Sequence, residues 1–122
     1  HVPTLDGVLG ALVTTDEARA TRALNQLADD RRFAAPYGLN FVAREARSYH
    51  PDQYWRGSAW MQMNYLARLA ALRWDRGNLV AAIREMSIRG ALRSGYAEHW
   101  NPQTGKGRGA IPLTWSALVA AM

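Results

Sequence analysis

Apolar residues recur at the spacing of an α-helix in several separate segments of the chain. Residues 4–13 carry a short apolar face, which two glycines weaken. A clearer helix is predicted after Thr15, running to about Ala28. A threonine hydroxyl can cap its first free N–H groups, and the acidic residues Asp16 and Glu17 suit the positive end of the helix dipole.

A pair of helices is predicted between Ser58 and Gly95. Ser58 can cap the first helix, and Gly77 suits the left-handed position that follows its end. Asn78 can cap the second helix, and Gly95 lies past its end. Because the connection is so short, the two helices should pack as an antiparallel αα-hairpin. Their predicted apolar stripes are formed by Trp60, Met63, Leu66, Ala67, Ala70 and Trp74, and by Leu79, Ala82, Ile83 and Met86.

Two segments between the helices have no regular period. Residues 33–57 hold prolines, glycines and several aromatic residues, which predicts a long structured loop of the kind that often meets ligands. Residues 96–110 are rich in turn formers and predict a loop without any regular element. A last helix is expected to be capped near Thr114. No segment shows the sustained alternation of apolar and polar residues that is typical of a β-strand, so the predicted fold class is all-α.

Composition narrows the function classes. The 122 residues are enough for one domain. The absence of cysteine excludes disulfides, thiolate metal sites and cysteine nucleophiles. The longest uncharged apolar stretch, residues 110–122, is shorter than the about 20 residues of a membrane-spanning helix, so no membrane partner is expected. The first residue is histidine and no secretory leader is recognised, which leads us to expect a piece of a longer chain.

The basic residues point weakly toward an acidic partner. The formal net charge is +5, and fourteen of the fifteen basic residues are arginines. They are scattered along the chain, with one adjacent pair at Arg31 and Arg32, which favours solvated helix faces over a nucleic-acid surface. The alternative is an all-helical binding module, for nucleic acid, whose affinity would fall steeply with added salt.

Two loop-to-helix junctions concentrate the residues that could carry chemistry. Around Tyr54, Trp55 and Trp60, aromatic faces beside Arg56 could stack on sugar rings, although both tryptophans could instead be core anchors. At the second junction Glu98 lies among aromatic residues, where a partly dry setting would move its pKa toward neutrality and suit it to acid or base work. Its alternative role is capping or ion pairing.

The histidines and the glycine-rich segment give weaker indications of function. The histidines at positions 1, 50 and 99 are far apart in sequence, so no histidine metal site is predicted and each is expected at the surface or in a hydrogen bond. Gly105, Gly107 and Gly109 superficially resemble a phosphate loop, but no strand precedes them and no G-K-[ST] follows, which favours a tight surface loop.

Four motifs follow one another along the chain: P-Y-G-L at 36–39, Y-W-R-G-S-A-W-M-Q-M-N-Y at 54–65, E-H-W-N-P-Q-T-G-K-G-R-G at 98–109 and T-W-S-A at 114–117. Together and in this order they resemble glycoside hydrolase family 63 and its trehalase-like and glucoamylase-like relatives. The second motif is similar to the family's Y-W-R-G-x-x-W-x-x-M-N-Y segment, and the third to its E-x-x-[DN]-P-x-T-G-x-G loop.

The resemblance implies an (α/α)6 barrel, with residues 1–122 as the C-terminal third of the catalytic domain and the remainder of the barrel as its partner. It implies hydrolysis of α-glycosidic bonds with inversion, without a cofactor. Glu98 matches the general base, while the general acid, an aspartate, is expected upstream. Tyr54, Trp55 and Trp60 match aromatic positions at the sugar pocket, and Arg56 falls in the same segment with a less defined role.

Departures from the commoner family pattern lie at the mouth of the implied site. Ser58-Ala59 replaces the frequent Pro-Val, and residues 99–101, H-W-N, stand where Y-Y-D is common. In these features the chain is most similar to small bacterial members that hydrolyse glucosylglycerate or mannosylglycerate. A cytoplasmic location is expected, and the choice between glucose and mannose, the aglycone and assembly into a homo-oligomer stay open.

Overall fold

Helices dominate the computed structural model, which describes residues 2–122. The chain forms α1 (Leu5–Val8), a 3₁₀ helix (Leu9–Leu12), α2 (Glu17–Asn25), α3 (Tyr54–Gly57), α4 (Met61–Arg73), α5 (Gly77–Ser94) and a C-terminal 3₁₀ helix (Thr114–Ala121). Between α5 and the last helix, β1 (His99–Trp100) and β2 (Gly107–Arg108) pair as an antiparallel ribbon. The predicted all-α class is confirmed, with this ribbon as a small addition.

The predicted αα-hairpin is present as α4 and α5, which pack against each other. Gly95 lies just past the end of α5, as expected, and takes the left-handed conformation with φ 70°. The connection differs from the prediction because Asp75, with φ 52°, takes the left-handed position after α4. Asp tolerates this conformation through its short polar side chain. Gly77 is consequently the first residue of α5, and Asn78 lies inside the helix instead of capping it.

Two other predicted caps were wrong. The Ser58 hydroxyl donates to the carbonyl oxygen of Pro51 at 3.1 Å, and α4 begins at Met61 with Trp60 at the N-cap position. At α2 the N-cap residue is Asp16, whose carboxylate accepts from the Arg19 N–H at 3.0 Å, whereas the Thr14 hydroxyl accepts only from the Asp16 N–H, at 3.1 Å, ahead of the helix. These choices depend on which polar group the fold brings within reach, because a local motif offers several candidates.

The end of α2 and the last helix also differ from the prediction. Helix α2 stops at Asn25, where bonds three residues apart tighten the chain, such as Leu27 N–H to Leu24 O at 3.0 Å. The last helix is 3₁₀ instead of α, without a side-chain cap, and the Ser116 hydroxyl ties it to the carbonyl oxygen of Ala97 at 2.6 Å. Within residues 2–122 no helix combines the length and apolar character that crossing a membrane requires.

The main core lies between the N-terminal helices, α2, α4 and α5. A second, smaller cluster contains Ala59, Met61, Ala91 and Trp100, with part of the last helix packed against it. The N-terminal apolar face and the α2 stripe enter the main core as predicted. Trp60 packs in the main core and Trp100 in the second cluster, so both clusters support the loop-to-helix junctions.

The long loop of residues 33–57 is held by buried hydrogen bonds, as expected of a structured loop. Asn64 in α4 accepts from the Leu39 N–H at 3.2 Å and donates to the Ser87 hydroxyl of α5 at 3.0 Å. The Tyr49 hydroxyl donates to Asn40 Oδ1 at 2.9 Å, and burial raises the pKa of this phenol. The loop ends in the single turn α3, which the irregular sequence did not predict.

The prediction of no regular element in residues 96–110 was wrong, since β1 and β2 lie there. His99 pairs with Arg108 and Trp100 with Gly107. The turn between the strands closes on Asn101, whose side-chain oxygen accepts from the N–H groups of Gln103 and Thr104 at 2.9 and 3.2 Å. A sequence rich in turn formers therefore makes a short hairpin because its ends can pair.

Gly90 of α5 allows the 36–39 loop and β1 to approach the helix. A Cβ at Gly90 would overlap the Tyr37 carbonyl oxygen and lie 2.7 Å from Cε2 of Trp100. We expect Gly90→Ala to lower the free energy of unfolding by about 1–3 kcal/mol through overpacking. Chemical denaturation of the protein that carries this chain measures this.

Gly77 in the same helix is the matched control, because a Cβ there meets nothing within 4 Å. Gly77→Ala should leave the free energy of unfolding unchanged or raise it by up to about 1 kcal/mol. Equal effects of the two substitutions would contradict a role for Gly90 in this close approach.

Candidate functional site

The two loop-to-helix junctions singled out in the sequence meet in the structure. The Ala59 N–H donates to the Trp100 carbonyl at 2.8 Å, and the Trp100 N–H donates to the Ala59 carbonyl at 3.1 Å. This bridge places the 54–60 segment beside β1. Residues that the sequence presents as two separate candidates therefore form one site.

An aromatic stack fills the space between the junctions. The Trp55 and Trp60 rings are stacked with centroids 4.0 Å apart and planes 10° apart, and His99 also stacks on Trp60, with centroids 4.8 Å apart. Tyr54 meets each of these three rings edge-on. The Trp60 indole N–H donates to the Tyr54 carbonyl at 3.2 Å. The four rings therefore form one packed unit.

Exposure separates the two tryptophans. Trp60 is 1% exposed, whereas Trp55 is 43% and Tyr54 48% exposed. The core-anchor alternative therefore describes Trp60, and parts of Trp55 and Tyr54 are open to solvent. Within the stack, Trp55 and Tyr54 are therefore the rings that a ligand can reach.

The Glu98 carboxylate lies at the edge of this stack. Its Oε1 accepts from the Tyr54 hydroxyl at 2.7 Å, and its Oε2 accepts from the Ala110 N–H at 3.2 Å. The Tyr54 hydrogen bond, followed by that from Ala110, lowers the pKa of Glu98 below its usual value. The expected shift toward neutrality was wrong, because two donors stabilise the charged form and the carboxylate is not dry.

Tyr54 is the matching partner in this pair. Its hydrogen bond to Glu98 raises the pKa of the phenol, since loss of its proton would bring two negative charges together. Tyr54 therefore stays a donor and Glu98 an acceptor at neutral pH. In the described part of the chain Glu98 forms no ion pair with an arginine or lysine, so the ion-pairing alternative is not what the fold builds.

Arg56 serves the loop beneath the site. Its Nε donates to the Ser48 carbonyl at 3.1 Å and its guanidinium donates to Gln53 Oε1 at 3.0 Å. Its own backbone carbonyl accepts from the His50 N–H at 2.8 Å. These contacts hold α3, and therefore Tyr54 and Trp55, on the loop.

A second carboxylate near the site, that of Asp52, is held by two neighbouring side chains. Asp52 accepts from the Asn101 amide at 3.0 Å and forms an ion pair with Arg108. The Asn101 hydrogen bond is the largest cause that lowers the pKa of Asp52, and the Arg108 contact lowers it further. Asp52 thus stays ionised and links the long loop to both ends of the ribbon.

The two histidines that the structure describes, His50 and His99, are not arranged as metal ligands. His99 is buried in the stack rather than at the surface, its Nδ1 has no partner among residues 2–122, and burial lowers the pKa of its ring. His50 is exposed, and His1 lies outside the described residues. In the part of the chain that the structure describes, no three His, Asp or Glu side chains could hold a metal ion together.

Sequence reasoning missed several members of the site. Phe41 contacts Trp55 edge-on with centroids 4.8 Å apart, and the Trp115 indole donates to the Glu98 carbonyl at 3.3 Å. The Ala110 N–H contributes through the backbone, which no side-chain motif can reveal. Trp115 belonged to the T-W-S-A motif and could have been added on that ground, whereas Phe41 lies in an irregular loop without a local signal.

Comparisons with known proteins agree on one family. Residues 1–116 match the model of the mannosylglycerate hydrolase MGH1-like glycoside hydrolase domain. The chain is 29% identical over 119 residues to the mannosylglycerate hydrolase of Thermus thermophilus, covering 98% of the chain and 29% of that protein. It is 27% identical over 101 residues to the glucosylglycerate hydrolase of Mycolicibacterium hassiacum, covering 79% of the chain and 23% of that protein.

The fold agrees with the same family. The crystal structure of a GH63 mannosylglycerate hydrolase from Thermus thermophilus in complex with glucose matches with a TM-score of 0.88 and 28% sequence identity, covering 98% of this chain and 28% of that one. The chain therefore spans less than a third of the length of these relatives.

The exposure difference predicts different consequences for the two tryptophans. Trp60→Ala should lower the free energy of unfolding by about 3–5 kcal/mol, because it removes the buried centre of the stack. Trp55→Ala should cost roughly half of that, because much of its ring already faces solvent. Chemical denaturation of both variants measures the difference, and a loss of about 3–5 kcal/mol in Trp55→Ala would make Trp55 a core anchor instead.

Proposed function

The chain belongs to the mannosylglycerate hydrolase MGH1-like glycoside hydrolase family, and we propose that it supplies the catalytic base and part of the sugar site of an inverting α-glycoside hydrolase. The substrate is glucosylglycerate or mannosylglycerate, a choice supported by the names of the relatives it resembles. On this proposal the chain is the C-terminal third of an (α/α)6 barrel, supported by its short span of those relatives.

The state of the Glu98 carboxylate carries the proposal. A general base must be ionised before it can accept a proton, and two hydrogen-bond donors hold Glu98 in that state. The Glu98 residue is partly exposed, so a water molecule can reach it. It lies against Tyr54, whose ring together with Trp55 forms the exposed aromatic surface.

The reaction follows from this placement. Glu98 takes a proton from a water molecule as the water oxygen forms a bond to the anomeric carbon, and the bond from that carbon to the glycosidic oxygen breaks on the opposite face. A second carboxylic acid gives its proton to the departing oxygen. Inverting enzymes place the two carboxyl groups about 6.5–9.5 Å apart to make room for the water.

The proton donor is assigned to the remainder of the barrel. Asp52 is another carboxylate beside the site, but its hydrogen bonds and ion pair favour its charged form, which cannot donate a proton. The donor should instead be an aspartate outside this chain, in agreement with the family resemblance.

Sugar binding is assigned to the exposed part of the stack. Trp55 and Tyr54 present faces on which the C–H side of a sugar ring can stack. Trp60 stacks on Trp55, and His99 stacks on Trp60, so these two buried rings hold Trp55 in position. Arg56 contributes by holding the loop that carries both exposed rings.

The remaining barrel is the main macromolecular partner in this proposal. Large apolar side chains at the surface, among them Val13 and Leu92, are suited to packing against further helices. Family membership favours the hydrolase over the nucleic-acid-binding alternative. The expectations of no cofactor and of a cytoplasmic location stay predictions.

Replacement of the base tests the proposal. In the complete catalytic domain, Glu98→Gln should keep most substrate affinity, because the amide retains the volume of the side chain. It should lower kcat by at least about 10²–10⁴, because an amide cannot accept the proton of the attacking water. Steady-state kinetics on glucosylglycerate and mannosylglycerate measure this.

The control is Glu85→Gln, which removes an exposed carboxylate paired with Arg89 in α5 and should keep full turnover. NMR of the first product formed adds a second measurement, since inversion of an α-glycoside releases the β-sugar before mutarotation. Unchanged turnover in Glu98→Gln, or initial release of the α-sugar, would contradict the role of Glu98 as the water-activating base.

The Tyr54 hydroxyl should control the pH dependence of the reaction. The acid limb of kcat/KM reports the pKa of the base in the free enzyme. Tyr54→Phe removes a donor to the charged form of Glu98, so the pKa of Glu98 should rise and the acid limb should move to higher pH. Tyr96→Phe is the control, because the Tyr96 side chain is exposed and its hydroxyl is not a donor to Glu98. An identical acid limb in wild type and Tyr54→Phe would exclude this control of the base.

A further inference from the structure

The chain passes Glu98 a second time after β2. The Glu98 N–H donates to the Ala110 carbonyl at 2.7 Å, and the Ala110 N–H donates back to Oε2 of Glu98 at 3.2 Å. The same short segment therefore holds both the backbone and the carboxylate of Glu98. Gly109, the residue before Ala110, is part of this close approach.

Gly109 has no room for a side chain on the face toward Glu98. A Cβ built on its backbone would lie 2.9 Å from the Glu98 Cβ and 3.0 Å from the Glu98 Cδ, and closer still to Oε2. Carbon atoms at such distances are in steric overlap. Because the Glu98 Cβ is fixed to the backbone, rotation of the carboxylate alone would not relieve the contact.

The backbone of Gly109 also adopts a left-handed conformation, with φ +70°. Gly95 has the same φ, but a Cβ there would meet only the Ile111 Cγ2, at 3.4 Å, which is an ordinary contact. The two glycines therefore share one conformational requirement and differ in the group that faces them. This difference separates backbone strain from the effect on Glu98.

We propose that Gly109 is a positioning residue for Glu98, because its missing side chain leaves the space in which the carboxylate sits between the Tyr54 hydroxyl and the Ala110 N–H. The inference rests on the proposed function, in which Glu98 is the base. A side chain at position 109 displaces the carboxylate from both donors and from the water it activates. The effect is on the geometry of the reaction, while Gly109 itself touches no substrate.

Two substitutions at position 109 test the proposal in the complete catalytic domain. Gly109→Ala adds a Cβ, and Gly109→Asn adds the same Cβ on a residue that tolerates positive φ. Both should lower kcat by about 10- to 100-fold with little change in KM, because a small displacement of a catalytic group affects turnover more than binding.

The pH profile distinguishes positioning from a general loss of structure. Tyr54 and His99, the titratable side chains that act on the pKa of Glu98, remain in both variants. Loss of the Ala110 N–H and Tyr54 hydroxyl contacts raises the pKa of the displaced carboxylate, so the acid limb of kcat/KM should move to higher pH. Gly95→Ala and Gly95→Asn are the matched controls and should keep both kcat and the acid limb of wild type.

The outcomes distinguish the positioning role of Gly109 from the proposed role of Glu98 as the base. Wild-type kcat and acid limb in Gly109→Asn, with turnover lost in Glu98→Gln, would overturn the positioning role and leave the proposed function standing. Turnover retained in Glu98→Gln would instead overturn the proposed function itself. If Gly109→Asn fails to fold where Gly95→Asn folds, Gly109 is needed for the fold and the positioning role is overturned as well.

Discussion

The backbone bridge between Ala59 and Trp100 is the contact on which the candidate site depends. It joins two irregular segments that are distant in the chain, and the contacts of Asp52 with Asn101 and Arg108 join the same segments again. The bridge seats Trp60 against His99, and Trp60 in turn supports the exposed ring of Trp55. Irregular backbone can hold such a site because its polar groups are satisfied by each other and by buried side chains such as Asn64.

Hydrogen bonding, not burial, determines the charge of the proposed base. Desolvation alone would have raised the pKa of Glu98, but the donors at Tyr54 and Ala110 outweigh it. Asp52 is kept ionised by a different set of partners, where the ribbon meets the long loop. Both carboxylates are therefore charged, but they differ in their surroundings. Glu98 is accessible to a water molecule, whereas Asp52 connects the long loop to the ribbon.

Much of the helical framework could be predicted, because helix periodicity is a local property of the sequence. The α4–α5 hairpin, the buried face of α2 and the left-handed Gly95 all follow from residues within a few positions of one another. The caps at Ser58 and Asn78 could not be predicted, because neighbouring polar residues compete and the Pro51 carbonyl that binds Ser58 lies outside its helix. The β1–β2 ribbon was missed because two-residue strands carry no periodicity.

The sequence by itself determined the all-α class, the absence of thiol chemistry and the motif residues that place the chain in its family. Tertiary structure decided which of those residues meet, which tryptophan is buried and which is open, and that the pKa of Glu98 falls rather than rises. The physical reason is the sequence distance over which each property acts, because periodicity and composition depend on residues within one segment. The burial of Trp60 and the hydrogen bond from Tyr54 to Glu98 depend instead on groups that only the folded chain brings together.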